Sequence, residues 1–218
     1  MANKPLDPEN IAIDYDTPFK PTRAFYIQRL TSDTHITSLT PSLNDIFSPE
    51  TCISIDIATK LVTSTVITPA YAIKNTNLLG TRVSVTNEVG EQIAEMKCPL
   101  WSWNMGTTTI VIVGAGGGDQ GEVVEIKPVG FGRRAQVFKR GGVTYFWDVE
   151  PHKHEHKSLY KVIESSDVGP KKVEVARYVQ ENTRTKKGVL VLDSGGVETL
   201  VGILTICAVL TVRERFTR

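Results

Sequence analysis

The stretch that decides the fold is Val197–Val212 near the C-terminus, VETLVGILTICAVLTV. Apart from Glu198 and a few threonines, its residues are apolar on every side of a helix. A helix that is hydrophobic all round must be buried, either in protein or in lipid. The chain before it has the pattern of short strands and turns. We therefore predict a β-barrel that closes around one apolar helix.

The two ends of this stretch favour a helix. Asp193 and Ser194 are candidate N-cap residues, because their side-chain oxygens can accept hydrogen bonds from free backbone N–H groups. Glu198 would lie in the first turn, and Arg213 and Arg215 at the last. These charges would complement the dipole of the helix.

Two other structures for residues 197–212 need to be weighed. As a helix the run spans about 24 Å, whereas the apolar core of a bilayer is about 30 Å thick. A membrane anchor would therefore be short by about one turn. A strand is favoured by β-branched residues such as Val201 and Ile203, but strands usually run for about 4–8 residues. The buried helix is the main prediction, and a tail-anchored membrane protein using 197–212 is the alternative.

The bulk composition is that of an ordinary globular domain. The 218 residues are 40% hydrophobic and 22% charged, with a formal net charge of +1, which argues against a dedicated nucleic-acid binder. The three cysteines, Cys52, Cys98 and Cys207, are odd in number and far apart, so neither a disulfide framework nor a zinc site is indicated. Residues 1–10 have no apolar run typical of a secretory signal. We predict a cytoplasmic protein.

The chain divides into an arm and one domain. Residues 1–22 contain Pro5, Pro8, Pro18 and Pro21, which indicate a flexible, extended arm. Residues 23–218 have no composition shift and are predicted to form a single barrel domain.

Short strands with turns between them fill most of this domain. Residues 31–50 are predicted to be a long loop with one short helix near 43–47, and no long helical pattern precedes residue 196. About eleven or twelve strands in such a series indicate a sandwich or a barrel. The predicted strands are 23–30, 52–57, 61–68, 71–74, 82–86, 92–97, 107–113, 123–129, 135–138, 143–149, 159–163, 173–179 and 189–192.

A glycine-rich segment resembles a nucleotide-binding motif. In TTIVIVGAGGGDQG, Thr108–Gly121, the residues Gly116, Gly118 and Gly121 match G-x-G-x-x-G. A dinucleotide site needs a helix that opens at those glycines, so that its N-terminal amides face the pyrophosphate. Residues 122–126, EVVEI, have a strand pattern instead. We predict a hairpin loop without a cofactor, and an enzyme using loop 114–121 as the alternative.

Three histidines alternate in PHKHEH. His152, His154 and His156 would share one face of an extended segment, where imidazoles can bind Zn²⁺ or Cu²⁺. Lys153 and Glu155 make the segment a polar loop, in which histidines lack ordered supporting groups. The histidines are weak metal candidates, and no metal is predicted.

No catalytic signature is evident, whereas basic residues cluster at turns. There is no G-x-S-x-G, and no cysteine lies in an activating setting, so we predict that the chain is not an enzyme. Turn cations often serve only to keep strand edges soluble. If the turns meet at one end of a barrel, they form a patch for anionic lipid headgroups. The clustered residues are Arg133, Arg134, Lys139, Arg140, Arg184, Lys186 and Lys187.

Two segments carry a family resemblance. With FKRGGVTYFWDV at Phe138–Val149 and the final run Val197–Arg215, the chain from Arg23 onward resembles the Tubby C-terminal-like superfamily. The most similar branch is that of small fungal proteins of unknown function, with LURP-one-related proteins and phospholipid scramblases as relatives. The resemblance implies a twelve-stranded barrel threaded by the C-terminal helix. In the tubby branch the domain binds phosphoinositides through basic residues, whereas scramblase-type cysteine clusters are absent from this chain.

We therefore expect a non-enzymatic binding module. Its partner would be an anionic phospholipid or another protein, with no nucleic acid and no transmembrane segment, and it would work in the cytoplasm and at membrane surfaces.

Overall fold

The computed structural model describes residues 10–30, 33–49, 52–64, 67–77, 81–99, 106–113, 121–130, 135–149, 156–164, 169–181 and 187–214. The strands are β1 (Ala12–Ile13), β2 (Arg23–Arg29), β3 (Asp33–Ser38), β4 (Phe47–Ser48), β5 (Cys52–Ile53), β6 (Tyr71–Asn75), β7 (Arg82–Asn87), β8 (Gln92–Lys97), β9 (Thr108–Ile112), β10 (Glu122–Pro128), β11 (Gln136–Arg140), β12 (Val143–Val149), β13 (His156–Ile163), β14 (Lys171–Gln180) and β15 (Lys187–Leu192). The helices are α1 (Leu43–Ile46), α2 (Ile55–Ser64) and α3 (Thr199–Glu214), with a short 3₁₀ turn at Thr40–Ser42.

Twelve of these strands form a closed antiparallel barrel. The strand order is β14, β13, β12, β11, β10, β9, β8, β7, β6, β3, β2 and β15, and β15 pairs back with β14. From β6 to β15 each strand pairs with the next one in the chain, because connections between them are short enough to form hairpins. The predicted mainly-β barrel with a C-terminal helix is confirmed.

Helix α3 fills the inside of the barrel. Residues 201–210 are all buried, including those on opposite sides of the helix. Their side chains pack with inward-facing residues of the surrounding strands, such as Ile36, Ile110 and Phe138. The barrel wall, and not lipid, therefore buries the apolar run. This burial confirms the predicted buried helix and contradicts the tail-anchor alternative. Within the described ranges, every helix falls short of the length and apolar character that a membrane span requires.

Two polar contacts fix the helix inside its wall. The indole N–H of Trp147 on β12 donates a hydrogen bond to Oγ1 of Thr205, 3.1 Å away in the fully buried core. The Thr205 hydroxyl donates in turn to the carbonyl of Val201 at 2.8 Å, so its polar groups are satisfied. Near the start of the helix, the Tyr145 hydroxyl donates to the carbonyl oxygen of Gly196 at 3.2 Å.

A second, smaller apolar layer covers the outside of the barrel at β2 and β15. There Tyr26 and Val191 are buried under α1, α2 and the hairpin of β4 and β5. The predictions of strands at 52–57 and 61–68, and of no long helix before residue 196, are wrong here because Ile55–Ser64 is α2. Its residues Ile55, Ala58, Leu61 and Val62 recur with helical spacing and pack onto this layer.

Two further predictions differ from the structure. The loop predicted for residues 31–50 contains strand β3, although its short helix is present as α1. The arm also lies against the barrel over its described part, residues 10–22, where a flexible arm was expected. Ala12 and Ile13 pair with the edge of β14, Ile11 is buried, and the ring of Phe19 packs on that of Phe47 at 5.7 Å.

The two ends of the barrel are distinguished by the elements that lie there. We call the end where α3 begins the proximal end; there β11 meets β12 in the hairpin turn of Gly141 and Gly142, both with positive φ. The other is the distal end, where β15 begins at Lys187 and β2 ends at Arg29. The chain runs through α3 from the proximal toward the distal end.

The first prediction concerns the burial of α3. Changing Leu204, which is 0% exposed, to Asp should abolish the fold, because an unpaired buried carboxylate costs several kcal/mol, comparable with the net stability of a domain. The matched change Leu30→Asp, at a position 44% exposed, should leave circular dichroism and elution volume unchanged. A folded Leu204→Asp protein would contradict the enclosure of the helix.

The second prediction concerns the hydrogen bond in the core. Thr205→Val keeps the shape of the side chain but leaves the buried N–H of Trp147 without an acceptor, which should lower the free energy of unfolding by about 1–3 kcal/mol. Thr211→Val is the control, since that hydroxyl bonds only to the carbonyl of Cys207 in its own helix and a smaller loss is expected. Urea unfolding followed by tryptophan fluorescence measures the loss of unfolding free energy in both variants. Equal losses would show that the hydrogen bond to Trp147 makes no specific contribution to stability.

Candidate functional site

At the proximal end, Arg140 forms ion pairs within the protein. Arg140 ends β11, and its Nη2 lies 2.8 Å from a carboxylate oxygen of Glu122 on β10 and 2.5 Å from one of Glu198 before α3. The side chain of Arg140 is 19% exposed. The sequence placed Arg140 among turn cations for a ligand, whereas the structure shows a cation already paired with two carboxylates.

Lys139 lies next to Arg140 but on the other face of the strand. Successive residues of a strand point to opposite faces, so Arg140 points inward and Lys139 points to solvent, where it is exposed. Both are at the proximal end, within the hairpin of β11 and β12.

At the distal end, exposed cations line the outside of the barrel. Four of these cations lie where a strand begins or ends. They are Lys74 near the end of β6, Arg82 at the start of β7, Lys97 at the end of β8 and Lys127 near the end of β10. All four are exposed, and within the described part of the chain none has an ion pair. We call these four residues, together with Lys187 at the start of β15, the basic rim.

Strand pairing brings the basic rim together from separate parts of the sequence. Arg82 and Lys97 are direct cross-strand partners, and Lys97 is paired in turn with Thr109 of β9. Like charges directly opposite each other destabilise a sheet. Lys74 alone has an acidic cross-strand partner, Asp33. A bound anion would relieve the repulsion between Arg82 and Lys97.

The basic residues predicted from sequence do not form one patch. Lys139 and Arg140 are at the proximal end and Lys187 is at the distal end, so the expectation that these turns converge is wrong for the described members. Strand parity and hairpin direction, and not distance along the chain, decide which end and face a cation occupies. Four other members, Arg133, Arg134, Arg184 and Lys186, lie outside the described residues.

The segments that carry those four residues are joined to the distal end. One connects Gly130 with Ala135, and Val129 donates its N–H to the carbonyl of Ala135 there. The other connects Glu181 with Lys187, whose carbonyl accepts the N–H of Glu181 at 2.9 Å. The described residues that flank these segments, Val129, Ala135, Glu181 and Lys187, therefore lie at the level of the basic rim.

Two further cations at the distal end face the inside of the barrel. Lys157 is 0% exposed, with its Nζ 5.2 Å from the centre of the Tyr178 ring. Burial raises the pKa of the Cys207 thiol to about 12, although the nearby positive charge of Arg29 acts in the opposite direction. Cations at this level complement the negative, C-terminal part of α3. Of the two, Arg29 lies close enough to α3 for its charge to act on Cys207.

A polar cluster on the outer wall, formed by Arg177, Glu174, Ser158 and Cys52, has its charged groups paired with each other. The guanidinium of Arg177 binds both carboxylate oxygens of Glu174, at 2.9 and 2.7 Å, and its Nη1 donates to Sγ of Cys52 at 3.6 Å. The Ser158 hydroxyl donates to the same carboxylate at 2.9 Å. Arginine stays protonated, so Arg177 cannot act as a base toward the thiol. Hydrogen bonding to Glu174 raises the pKa of Arg177 further.

The motifs for a cofactor and a metal have no supporting geometry in the described chain. Residues 114–120 of the glycine loop lie outside it, but the chain that follows Gly121 is strand β10 and not a helix. A phosphate therefore has no helix N-terminus there. His152 and His154 also lie outside the described residues, and His156 begins β13 opposite Val179. Among the residues that the structure does describe, no group of three or more metal-ligating side chains occurs.

Comparison with family models, with curated proteins and with solved structures gives no match for this chain. The resemblance to the Tubby C-terminal-like superfamily therefore stays a prediction.

The third prediction concerns thiol reactivity. Cys52 is exposed, whereas Cys98 and Cys207 are buried, and burial keeps the Cys207 thiol protonated at neutral pH. In the native protein at pH 8, a disulfide reagent such as dithionitrobenzoate should modify only one thiol rapidly, and all three after unfolding in guanidinium chloride. Cys52→Ser should remove the rapid phase. A rapid phase that survives this change would mean that the barrel leaves Cys98 or Cys207 accessible.

Proposed function

We propose that this protein is a non-enzymatic binding module that attaches to anionic phospholipid headgroups through its distal end. The observation that carries the proposal is the basic rim, in which Arg82 and Lys97 lie directly opposite each other and form no ion pair with any described acidic residue. Lys127 and Lys187 extend the positive charge along the same end.

The energetics of such a rim fit reversible attachment to a membrane. Each Lys or Arg close to an anionic surface contributes about 1 kcal/mol, and the contribution falls away within a Debye length. Several cations on one end would act together because a flat surface can meet them at the same time. At the proximal end, by contrast, Arg140 is already paired with Glu122 and Glu198. The protein should therefore approach a membrane with its distal end first.

A non-enzymatic role is supported by the chemistry of the described polar clusters. The carboxylate of Glu174 is occupied by Arg177 and Ser158, and the thiol nearest to it, Cys52, has a guanidinium and not a base as its neighbour. General acid–base catalysis needs a group that can exchange a proton near neutral pH.

The fourth prediction tests the rim with vesicles. Full-length protein should co-sediment with phosphatidylcholine vesicles that contain phosphatidylserine or a phosphoinositide, and not with phosphatidylcholine alone. Binding should weaken steeply toward about 0.5 M salt, where the Debye length becomes short. The double variant Arg82→Glu and Lys97→Glu should lose at least about 2 kcal/mol of attraction, which is roughly thirtyfold in affinity.

A matched variant separates the position of the charge from its amount. Arg23→Glu with Lys139→Glu makes the same change in net charge with two exposed residues at the proximal end. This control should bind like the wild type, and circular dichroism should show that both variants are folded. Equal losses in the two variants would mean that only net charge matters, and wild-type protein that stays in the supernatant at low salt would overturn the proposal.

A further inference from the structure

One junction in the barrel wall is paired over only a part of its length. β10 pairs with β9 along Glu122–Ile126, and β11 pairs with β12 along its whole length. Between β10 and β11, however, the ladder is limited to Lys127 opposite Val137 and Pro128 opposite Gln136, and the hydrogen bond from the Val129 N–H to the Ala135 carbonyl follows it at the distal end. From there to the proximal end, residues 122–126 and 138–140 have no ladder partners across the junction. We call this part of the junction the seam.

A side chain bridges the seam at its proximal end. Arg140, the last residue of β11, reaches across to Glu122, the first residue of β10, at 2.8 Å. The same Nη2 contacts the carboxylate of Glu198, which directly precedes α3. One guanidinium thus joins both sides of the seam and the start of the internal helix. Its other terminal nitrogen, Nη1, is buried and has no hydrogen-bond partner.

We propose that the barrel opens locally at the seam, and that Arg140 is the latch that holds it closed. Segments of a protein open with free energies that depend on their own contacts, and a junction with few ladder hydrogen bonds opens more easily than a fully paired one. Elsewhere around the wall the strands are joined by longer ladders, such as β13 with β14 along His156–Ile163. Opening at the seam would give access to the side of α3 without unfolding the rest of the barrel.

Two buried valines offer a matched test of this opening. Val124 lies on β10 beside the seam, faces inward and is 1% exposed. Val85 on β7 is 0% exposed, and has ladder partners on both sides, Ile73 and Ala94. Each would be replaced by Cys in a Cys52→Ser background, which removes the one exposed thiol. The buried Cys98 and Cys207 remain as internal references.

The experiment measures the rate at which a thiol reagent modifies each introduced cysteine in the native protein. The Val124→Cys thiol should react at least roughly tenfold faster than the Val85→Cys thiol, and its rate should not change at low urea concentrations, as local opening requires. The Val85→Cys thiol should react only through global unfolding and accelerate with urea. Equal rates, or the same urea dependence at both positions, would overturn the proposed opening.

The latch is tested by adding Arg140→Gln to both proteins. Modification of the Val124→Cys thiol should become roughly tenfold faster, the factor that a lost interaction of about 1.4 kcal/mol gives, and its rate should remain unchanged at low urea concentrations. Glu122→Gln should reproduce part of the effect, because it removes the contact across the seam and leaves Glu198 in place. Lys139→Gln, next to the latch but exposed, should have no effect. If Arg140→Gln accelerates only the Val85→Cys thiol and leaves the Val124→Cys rate unchanged, Arg140 stabilises the fold as a whole and is not a latch.

Discussion

The structure depends on the need to bury a helix that is apolar on every side. An amphipathic helix needs a wall on one side only, whereas α3 needs one all round, and a closed sheet provides it. Small barrels of about eight strands are filled by their own side chains, but wider barrels leave a space along the axis. Twelve strands and one internal helix are therefore complementary. Without the other, each would expose its apolar side chains to water. The threonines of α3 fit this setting because their hydroxyls bond to carbonyls of the same helix.

Most of the barrel could be predicted from the sequence because local signals agree with the final environment. The hairpin of β11 and β12 has two glycines where positive φ is needed, and Val143–Val149 has the β-branched and aromatic residues typical of strands. The failure at α2 has the opposite cause. Residues 61–68 are rich in Val, Ile and Thr, which favour a strand locally, but packing onto the outer layer at β2 and β15 stabilises a helix over Ile55–Ser64. Strand β3 was missed because DTHITS has little apolar pattern of its own and is held by its neighbours β2 and β6.

The basic rim could not be predicted from the sequence. Its cations are far apart in the chain, and none of them except Lys187 stands in a local cluster of basic residues. Arg82 and Lys97 become neighbours only through the register of β7 with β8. The sequence did indicate local clusters, but closeness in the chain is a poor guide in a strand. Lys139 and Arg140 are adjacent, yet one is exposed and the other joins β11 to Glu122 and Glu198. The sign of the charge can be read from the sequence, whereas its face, end and partners depend on pairing.

The different roles of the two ends follow from the direction of α3. At the proximal end the chain must turn from β15 into the helix, and the carboxylate of Glu198 lies beside the positive start of the helix dipole. Arg140 compensates that carboxylate, so charge at this end is used to hold the helix in the wall. At the distal end the helix dipole is negative, and the positive charge of Arg29 acts on Cys207 in the C-terminal half of α3. The cations on the outer surface of that end are not required for this purpose. Arg82 and Lys97 lie opposite each other on the outer surface, and the proposed function assigns an external anion as their partner.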